Sequence, residues 1–86
     1  MIYYFSGTGN SRYVANLLGE ILDEDTYYIP HARGALVQPQ GNTLGFVFPV
    51  YSWGVPPIVI EFFNKLKQEF IDNVKKRAMP VWCVMT

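Results

Sequence analysis

The stretch Ser6-Gly7-Thr8-Gly9-Asn10-Ser11 stands between an apolar run and a helical pattern, and it decides how the chain folds. The run before it, Ile2 to Phe5, predicts a strand that is buried on both faces, as in the centre of a parallel sheet. The pattern after it predicts a helix whose core-facing stripe comprises Val14, Leu17, Leu18, Ile21 and Leu22. A strand, a loop rich in glycine and hydroxyl groups, and a helix N-terminus together form a site for an anion, most often a phosphate.

Other interpretations of this loop are open to the same residues. Asn10 or Ser11 could simply cap the helix, with the glycines as turn residues, but a cap needs one hydroxyl and this loop has three. A nucleotide P-loop would carry Lys followed by Ser or Thr after the second glycine, and a dinucleotide loop would carry a third glycine. The only cysteine is Cys83, so a cysteine nucleophile for phosphoryl transfer is absent. We therefore expect a phosphate that serves as the handle of a cofactor.

The composition fits one domain spanning residues 1–86. Half of the residues are hydrophobic and the formal net charge is 0, which argues against a general binder of nucleic acid or of anionic membranes. No apolar run approaches the ~20 residues of a membrane helix, and the N-terminus does not resemble a signal peptide. We expect a cytoplasmic protein without a metal site and without a catalytic acid, base or nucleophile.

The rest of the chain continues the alternation of strands and helices. We expect a second strand at 26–29, followed by an irregular connection at 31–43 with at most one helical turn near Ala35. A third strand is expected at 44–48. A helix should then run from 56–57 to the basic end at 75–77, and a fourth strand should follow at 79–85. The β-loop-α-β unit at the start implies parallel strands. We expect Asp23-Glu24-Asp25 to be a solvated turn, His31 a surface residue and Cys83 a buried, inert thiol.

A second unusual stretch, Tyr51-Ser52-Trp53-Gly54, follows the third strand. Ligands of open α/β sheets bind at the carboxyl ends of the strands, where the strand order reverses. An exposed aromatic ring there could stack on a flat ligand, and Gly54 leaves its backbone free to approach one. The alternative is that Trp53 is an ordinary core residue packed on the sheet.

Together the two loops resemble those of the flavodoxin family. The first loop fits the flavodoxin phosphate pattern Ser/Thr-x-Thr-Gly-x-Ser/Thr at every defined position, and Trp53-Gly54 matches the Trp-Gly pair of the second flavin loop. The resemblance implies a doubly wound parallel α/β sheet in the order 2-1-3-4, with FMN at the switch point between the first and third strands. This placement of FMN is implied by the resemblance to the family. The second loop, with the pattern Tyr51-x-Trp53-Gly54-x-Pro56-Pro57, is also similar to that of flavodoxin domains fused to bacterial-type ferredoxins.

The resemblance implies a role for each loop. Residues Ser6, Gly7, Thr8, Gly9, Asn10 and Ser11 would hold the phosphate of FMN, and Tyr51, Ser52, Trp53 and Gly54 would contact the ring. The expected function is electron transfer with a redox partner protein or a fused ferredoxin domain. The alternatives are an NAD(P)H-dependent flavin or quinone reductase on the same fold and a truncated fragment that binds no flavin. The resemblance favours an electron carrier over a stand-alone enzyme.

The chain departs from the family pattern after its fourth strand. The family's domain has a fifth strand and a third flavin loop, and neither is expected within these 86 residues. We therefore expect weaker FMN binding than in a full flavodoxin, because one face of the ring stays open to water. The fourth strand would be an apolar edge, so self-association through that strand is also expected.

Overall fold

The computed structural model describes residues 1–7, 9–31, 40–51 and 54–86. Its elements in chain order are β1 (Ile2–Tyr4), α1 (Asn10–Leu22), β2 (Thr26–Tyr28), a 3₁₀ turn (Ile29–His31), β3 (Leu44–Phe48), α2 (Pro57–Lys65), α3 (Gln68–Lys76) and β4 (Val81–Met85). Within these ranges no helix is long and apolar enough to cross a membrane. The helical turn expected near Ala35 lies outside the described residues.

The four strands form one sheet in the order β2-β1-β3-β4. All three pairings are parallel, with Tyr3 opposite Tyr27 on one side and Phe46 on the other. Every residue of β1 and β3 is buried, as their continuous apolar sequences predict for central parallel strands. The predicted fold class, a parallel α/β sheet in the order 2-1-3-4, is confirmed, and the described residues contain no fifth strand.

One face of the sheet forms the larger core beneath α2 and α3. Tyr3 and Phe46 from the central strands pack there with Val59 of α2 and with Phe70 and Val74 of α3. The predicted single helix is wrong, because Leu66 and Lys67 adopt extended backbone angles and divide it into α2 and α3. The basic end was predicted correctly, since Lys75 and Lys76 occupy the last turn of α3.

The opposite face is covered by α1, whose buried residues differ from those predicted. Ser11, Ala15 and Gly19 face the sheet, whereas Leu17 and Ile21 of the predicted stripe are 44% and 68% exposed. Small residues let the helix lie close to the strands: a Cβ on Gly19 would come within 2.9 Å of the Glu24 carbonyl oxygen and 3.0 Å of Thr26. Val14 and Leu18 of the predicted stripe are partly buried against the same core, and Leu22 is 43% exposed.

Strand β4 is an edge of the sheet, with contrasting environments on its two faces. On the α1 side the Trp82 indole lies across Gly45, where a Cβ would be 2.2 Å from the ring, and its N–H donates to the Thr43 hydroxyl at 2.7 Å. On the other side Cys83 is exposed. The prediction of a buried Cys83 is wrong, because β4 lies at the margin of the sheet and α2 and α3 pack over its central strands.

The amino-terminal ammonium group of Met1 forms an ion pair with Glu24, and both side chains are almost fully buried. The ammonium also donates to the Thr43 carbonyl at 2.7 Å, and the second carboxylate oxygen accepts from the Asn42 N–H at 3.0 Å. Burial raises the pKa of the Glu24 carboxyl, but these hydrogen bonds and the ammonium charge outweigh it and hold the pKa below its usual value. The expected solvated turn is therefore wrong for Glu24, which ties the start of β1 to the segment before β3.

We predict that Glu24→Gln lowers the free energy of unfolding at pH 7 by about 1–3 kcal/mol, since it removes the counter-charge of a part-buried ammonium. The folded pKa of Glu24 is lowered, so its stabilising effect is present above the unfolded value of about 4.3 and is lost as the pH falls through the folded value. Urea unfolding across this acidic range should show a flatter pH dependence for the variant than for the native chain. Glu20→Gln, at an exposed position of α1, is the matched control. The prediction would be contradicted if the free energy of unfolding depended on pH in the same way for the native and Glu24→Gln chains.

Candidate functional site

The two loops singled out in the sequence meet at one edge of the sheet. The first follows β1 and leads into α1, and the second follows β3 and leads into α2. Because β1 and β3 are neighbours and parallel, their carboxyl ends lie side by side. The chain continues from β1 to β2 on one side and returns to β3 on the other, so the strand order reverses between β1 and β3.

The loops also approach each other closely. A Cβ built on Gly7 would lie 3.1 Å from the Tyr51 hydroxyl, closer than an ordinary van der Waals contact. A side chain at position 7 would have to push Tyr51 aside. The structure thus brings together Gly7 and Tyr51, two of the residues predicted for the site.

The N-terminus of α1 has no side-chain cap. Its N-cap residue is Gly9, in the left-handed conformation with φ of 94°, and Asn10 is already in the helix. The Ser6 hydroxyl accepts a hydrogen bond from the Gly9 N–H at 2.7 Å, which closes the loop on itself. The Tyr13 N–H donates to the Gly9 carbonyl, and among the described residues the three amides before it have no hydrogen-bond partner within the helix. The interpretation of Asn10 or Ser11 as the helix cap is therefore wrong.

The Ser11 side chain makes a hydrogen bond within the protein. It is buried, and its hydroxyl shares a hydrogen bond of 2.6 Å with the hydroxyl of Thr86. Thr86 also donates its N–H to the Phe48 carbonyl and accepts from the Val50 N–H. The Ser11 side chain therefore joins α1 to the ends of β3 and β4, and only its backbone N–H remains available to a ligand. No sequence signal pointed to Thr86.

A cavity of about 270 Å³ opens beside the N-terminus of α1, and it is lined by Tyr4, Ser6, Gly9, Arg12 and Tyr28. The sequence reasoning missed Arg12, which occupies the first turn of α1. A cation there is repelled by the partial positive charge of the helix end, and that turn contains no acidic residue. Arg12 makes no ion pair with any carboxylate of the described residues. An anion in this cavity would offset both positive charges.

The second loop closes through its own backbone. Tyr51 and Gly54 exchange two hydrogen bonds, of 3.1 and 2.9 Å. Gly54 has φ of 106°, a conformation that side chains rarely adopt, and a Cβ there would meet open space. The predicted site residues Thr8, Ser52 and Trp53 lie outside the described residues, so stacking by Trp53 stays a prediction.

Among the described residues, few groups near these loops could bind a metal or transfer a proton. The described part of the chain contains no cluster of His, Cys, Asp or Glu that could hold a metal ion. Tyr3, the second residue of β1, has a fully buried hydroxyl without a hydrogen-bond partner among the described residues. Burial, with a smaller contribution from Tyr27, raises its pKa to about 12. That phenol stays protonated at neutral pH and lies on the α2 and α3 side, away from the cavity.

Comparison with the models of known protein families gives no match to this chain, and comparison with curated proteins gives none either.

We predict that Ser11 and Thr86 stabilise the fold through their shared hydrogen bond. Ser11→Ala should lower the free energy of unfolding by about 1–2 kcal/mol, because the hydroxyl it removes is buried. A double-mutant cycle with Thr86→Val should give a coupling energy of about 0.5–1.5 kcal/mol, measured by urea unfolding. Strictly additive effects of the two substitutions would show that the hydrogen bond contributes nothing.

Proposed function

We propose that this chain binds FMN and transfers electrons, as the flavodoxin-like loops suggest. The observation that carries the proposal is the uncapped N-terminus of α1, which opens with Ser6, Gly9 and Arg12 onto a cavity beside the carboxyl ends of β1 and β2. In the part of the chain that the structure describes, the amides have no helical partner and the guanidinium has no carboxylate partner, and both groups are suited to bind a phosphate.

The phosphate end of the proposed site uses mainly backbone groups. The N–H groups of Asn10, Ser11 and Arg12 would donate to phosphate oxygens, and the Arg12 guanidinium would add a charged donor. The Ser6 hydroxyl holds the loop in shape through Gly9. Thr8, the central residue of the motif, would add its hydroxyl on the strength of the resemblance. The residues present therefore fit a monoester phosphate.

The ring end of the proposed site lies at the second loop. Gly54 has open space on the side where a Cβ would stand, so a flat ring could approach its backbone. Tyr51 borders the first loop at Gly7, and Trp53 would stack on the ring as the sequence predicts. When bound, FMN would supply the electron-transfer chemistry, and the chain would supply position, exclusion of water and electrostatic environment. The electron partner would be a redox protein or a ferredoxin domain of the same polypeptide.

The phosphate role is tested by comparing FMN with riboflavin, which lacks the phosphate. We predict that Arg12→Gln weakens FMN binding about tenfold, by about 1–2 kcal/mol, and leaves riboflavin binding unchanged, because it removes one charged hydrogen bond. Thr8→Ala should act in the same direction by about 1–3 kcal/mol. Fluorescence titration of flavin into the purified chain measures both affinities.

Lys75→Gln is the matched control for Arg12→Gln. Lys75 is exposed in the last turn of α3, so its loss changes the net charge equally without altering the N-terminus of α1. FMN binding should be the same for this variant and the native chain. Equal affinity of the native chain for FMN and riboflavin would contradict the phosphate role, and no binding of either flavin would contradict the proposed function.

The role of Gly54 in contacting the flavin ring is tested by its effect on both flavins. Gly54→Ala places a side chain at φ of 106°, and the strain, about 1–2 kcal/mol, should distort the loop without a steric clash. We predict that this variant loses affinity for FMN and riboflavin by the same factor, whereas Arg12→Gln affects FMN alone. Both titrations are made on the same preparations, with circular dichroism to confirm the fold. A loss confined to FMN would place Gly54 at the phosphate instead.

A further inference from the structure

The cavity beside the N-terminus of α1 lies on the opposite side of β1 from the second loop. Its walls include Tyr4 at the end of β1 and Tyr28 at the end of β2, whereas the second loop follows β3. In the sheet, β2 and β3 are the two neighbours of β1. A ligand that reached from the second loop to the helix N-terminus would therefore direct its far end toward Tyr4 and Tyr28.

Tyr4 presents a polar group to this cavity from an otherwise buried side chain. The residue is only 9% exposed, because it packs on the α1 face of the sheet with Ala15 and Val47. Its hydroxyl has no hydrogen-bond partner among the described residues. Of the unpartnered polar atoms on their buried or partly buried side chains, only the Tyr3 hydroxyl is shielded from solvent. The Tyr4 hydroxyl therefore reaches open space, and the open space that Tyr4 lines is the cavity.

Two more hydrogen-bond donors line the same cavity. The ring of Tyr28 lies 5.3 Å from that of Tyr4, and it also contacts the rings of Phe5 and His31, which hold it in place. In the part of the chain that the structure describes, the Tyr28 hydroxyl and the Arg12 guanidinium have no hydrogen-bond or carboxylate partner. Two phenol hydroxyls and a guanidinium on one cavity are suited to an anion with several oxygen atoms.

The cavity is larger than a single phosphate. Its volume of about 270 Å³ equals that of about nine waters at ~30 Å³ each, so a phosphate at the amides of Asn10, Ser11 and Arg12 would fill only part of it. Further negative charge is favourable there, because the Arg12 guanidinium and the helix end are both positive and the first turn contains no acidic residue. The part at Tyr4 and Tyr28 has room and donors for a second phosphate.

We propose that this cavity holds the second phosphate of a flavin dinucleotide, so that the chain binds FAD as well as FMN. The inference rests on the proposed function, which has the first phosphate at the helix N-terminus and the ring at the second loop. The diphosphate of FAD then runs from the α1 amides toward β2, where Arg12 and the hydroxyls of Tyr4 and Tyr28 bind its second phosphate. NADH carries the same diphosphate without a flavin, and it serves as a separate arm of the test.

The second-phosphate subsite is tested by isothermal titration calorimetry with FMN and FAD. We expect FAD to bind about tenfold more tightly than FMN, because its second phosphate gains charged hydrogen bonds. Tyr4→Phe and Tyr28→Phe each remove one hydroxyl and keep the ring, so each should weaken FAD binding about fivefold and leave FMN binding unchanged. Tyr13→Phe is the matched control, because Tyr13 is 70% exposed on α1 and does not line the cavity. Circular dichroism shows that each variant is folded.

A second measurement needs no flavin. Inorganic diphosphate should bind the native chain about tenfold more tightly than inorganic phosphate, and Tyr4→Phe should remove most of that preference. NADH should bind more weakly than FAD, since it lacks the flavin ring that the second loop is proposed to contact.

The outcomes separate this inference from the proposed function. The FAD subsite is wrong, and the proposed function stands, if FMN binds more tightly than FAD or if Tyr4→Phe and Tyr28→Phe lower both affinities by the same factor. If neither flavin binds, the proposed function fails and FAD fails with it, while the preference for diphosphate still decides whether the cavity holds a second phosphate. Tighter binding of NADH than of FAD would overturn the assignment of the diphosphate to a flavin.

Discussion

The parallel pairing of β1 with β3 is the interaction on which the rest of the structure depends. It places the two buried strands at the centre of the sheet and leaves β2 and β4 as the margins. It also brings the loop after β1 and the loop after β3 to one edge, where Gly7 and Tyr51 nearly touch. Residues more than forty positions apart in the sequence thus lie at one edge of the sheet because of this single pairing.

Helix α1 packs against the sheet through small residues, which bury little apolar surface but allow a short distance between helix and strands. Ala15 and Gly19 bury little surface, but they let the helix axis approach the strands. Arg12, on the first turn of the same helix, is thereby held beside Tyr4 and Tyr28 at the cavity. Because the small residues face the sheet, Leu17 and Ile21 are left exposed.

The sequence predicted the fold class well because continuous apolar strands and a helical stripe are local patterns. It predicted the wrong buried face for α1, since hydrophobicity alone cannot show that Ser11, Ala15 and Gly19 permit closer packing than Leu17 and Ile21. Glu24 and Thr86 were missed for another reason: their partners, the Met1 ammonium and Ser11, are distant in the sequence. Arg12 could have been found, because a cation in the first turn of a helix opposes the helix dipole.

The hydrogen bond between Ser11 and Thr86 has a consequence for how the chain responds to a ligand. Thr86 is held at the same time by Phe48 and Val50, so the first turn of α1, the end of β3 and the end of β4 form one connected unit. If an anion bound at the first turn of α1 stabilises this unit, then by thermodynamic reciprocity whatever stabilises the end of β4 favours that anion by the same factor. Ser11 and Thr86 thus provide a direct hydrogen-bonded route between the helix end at the cavity and the end of the edge strand.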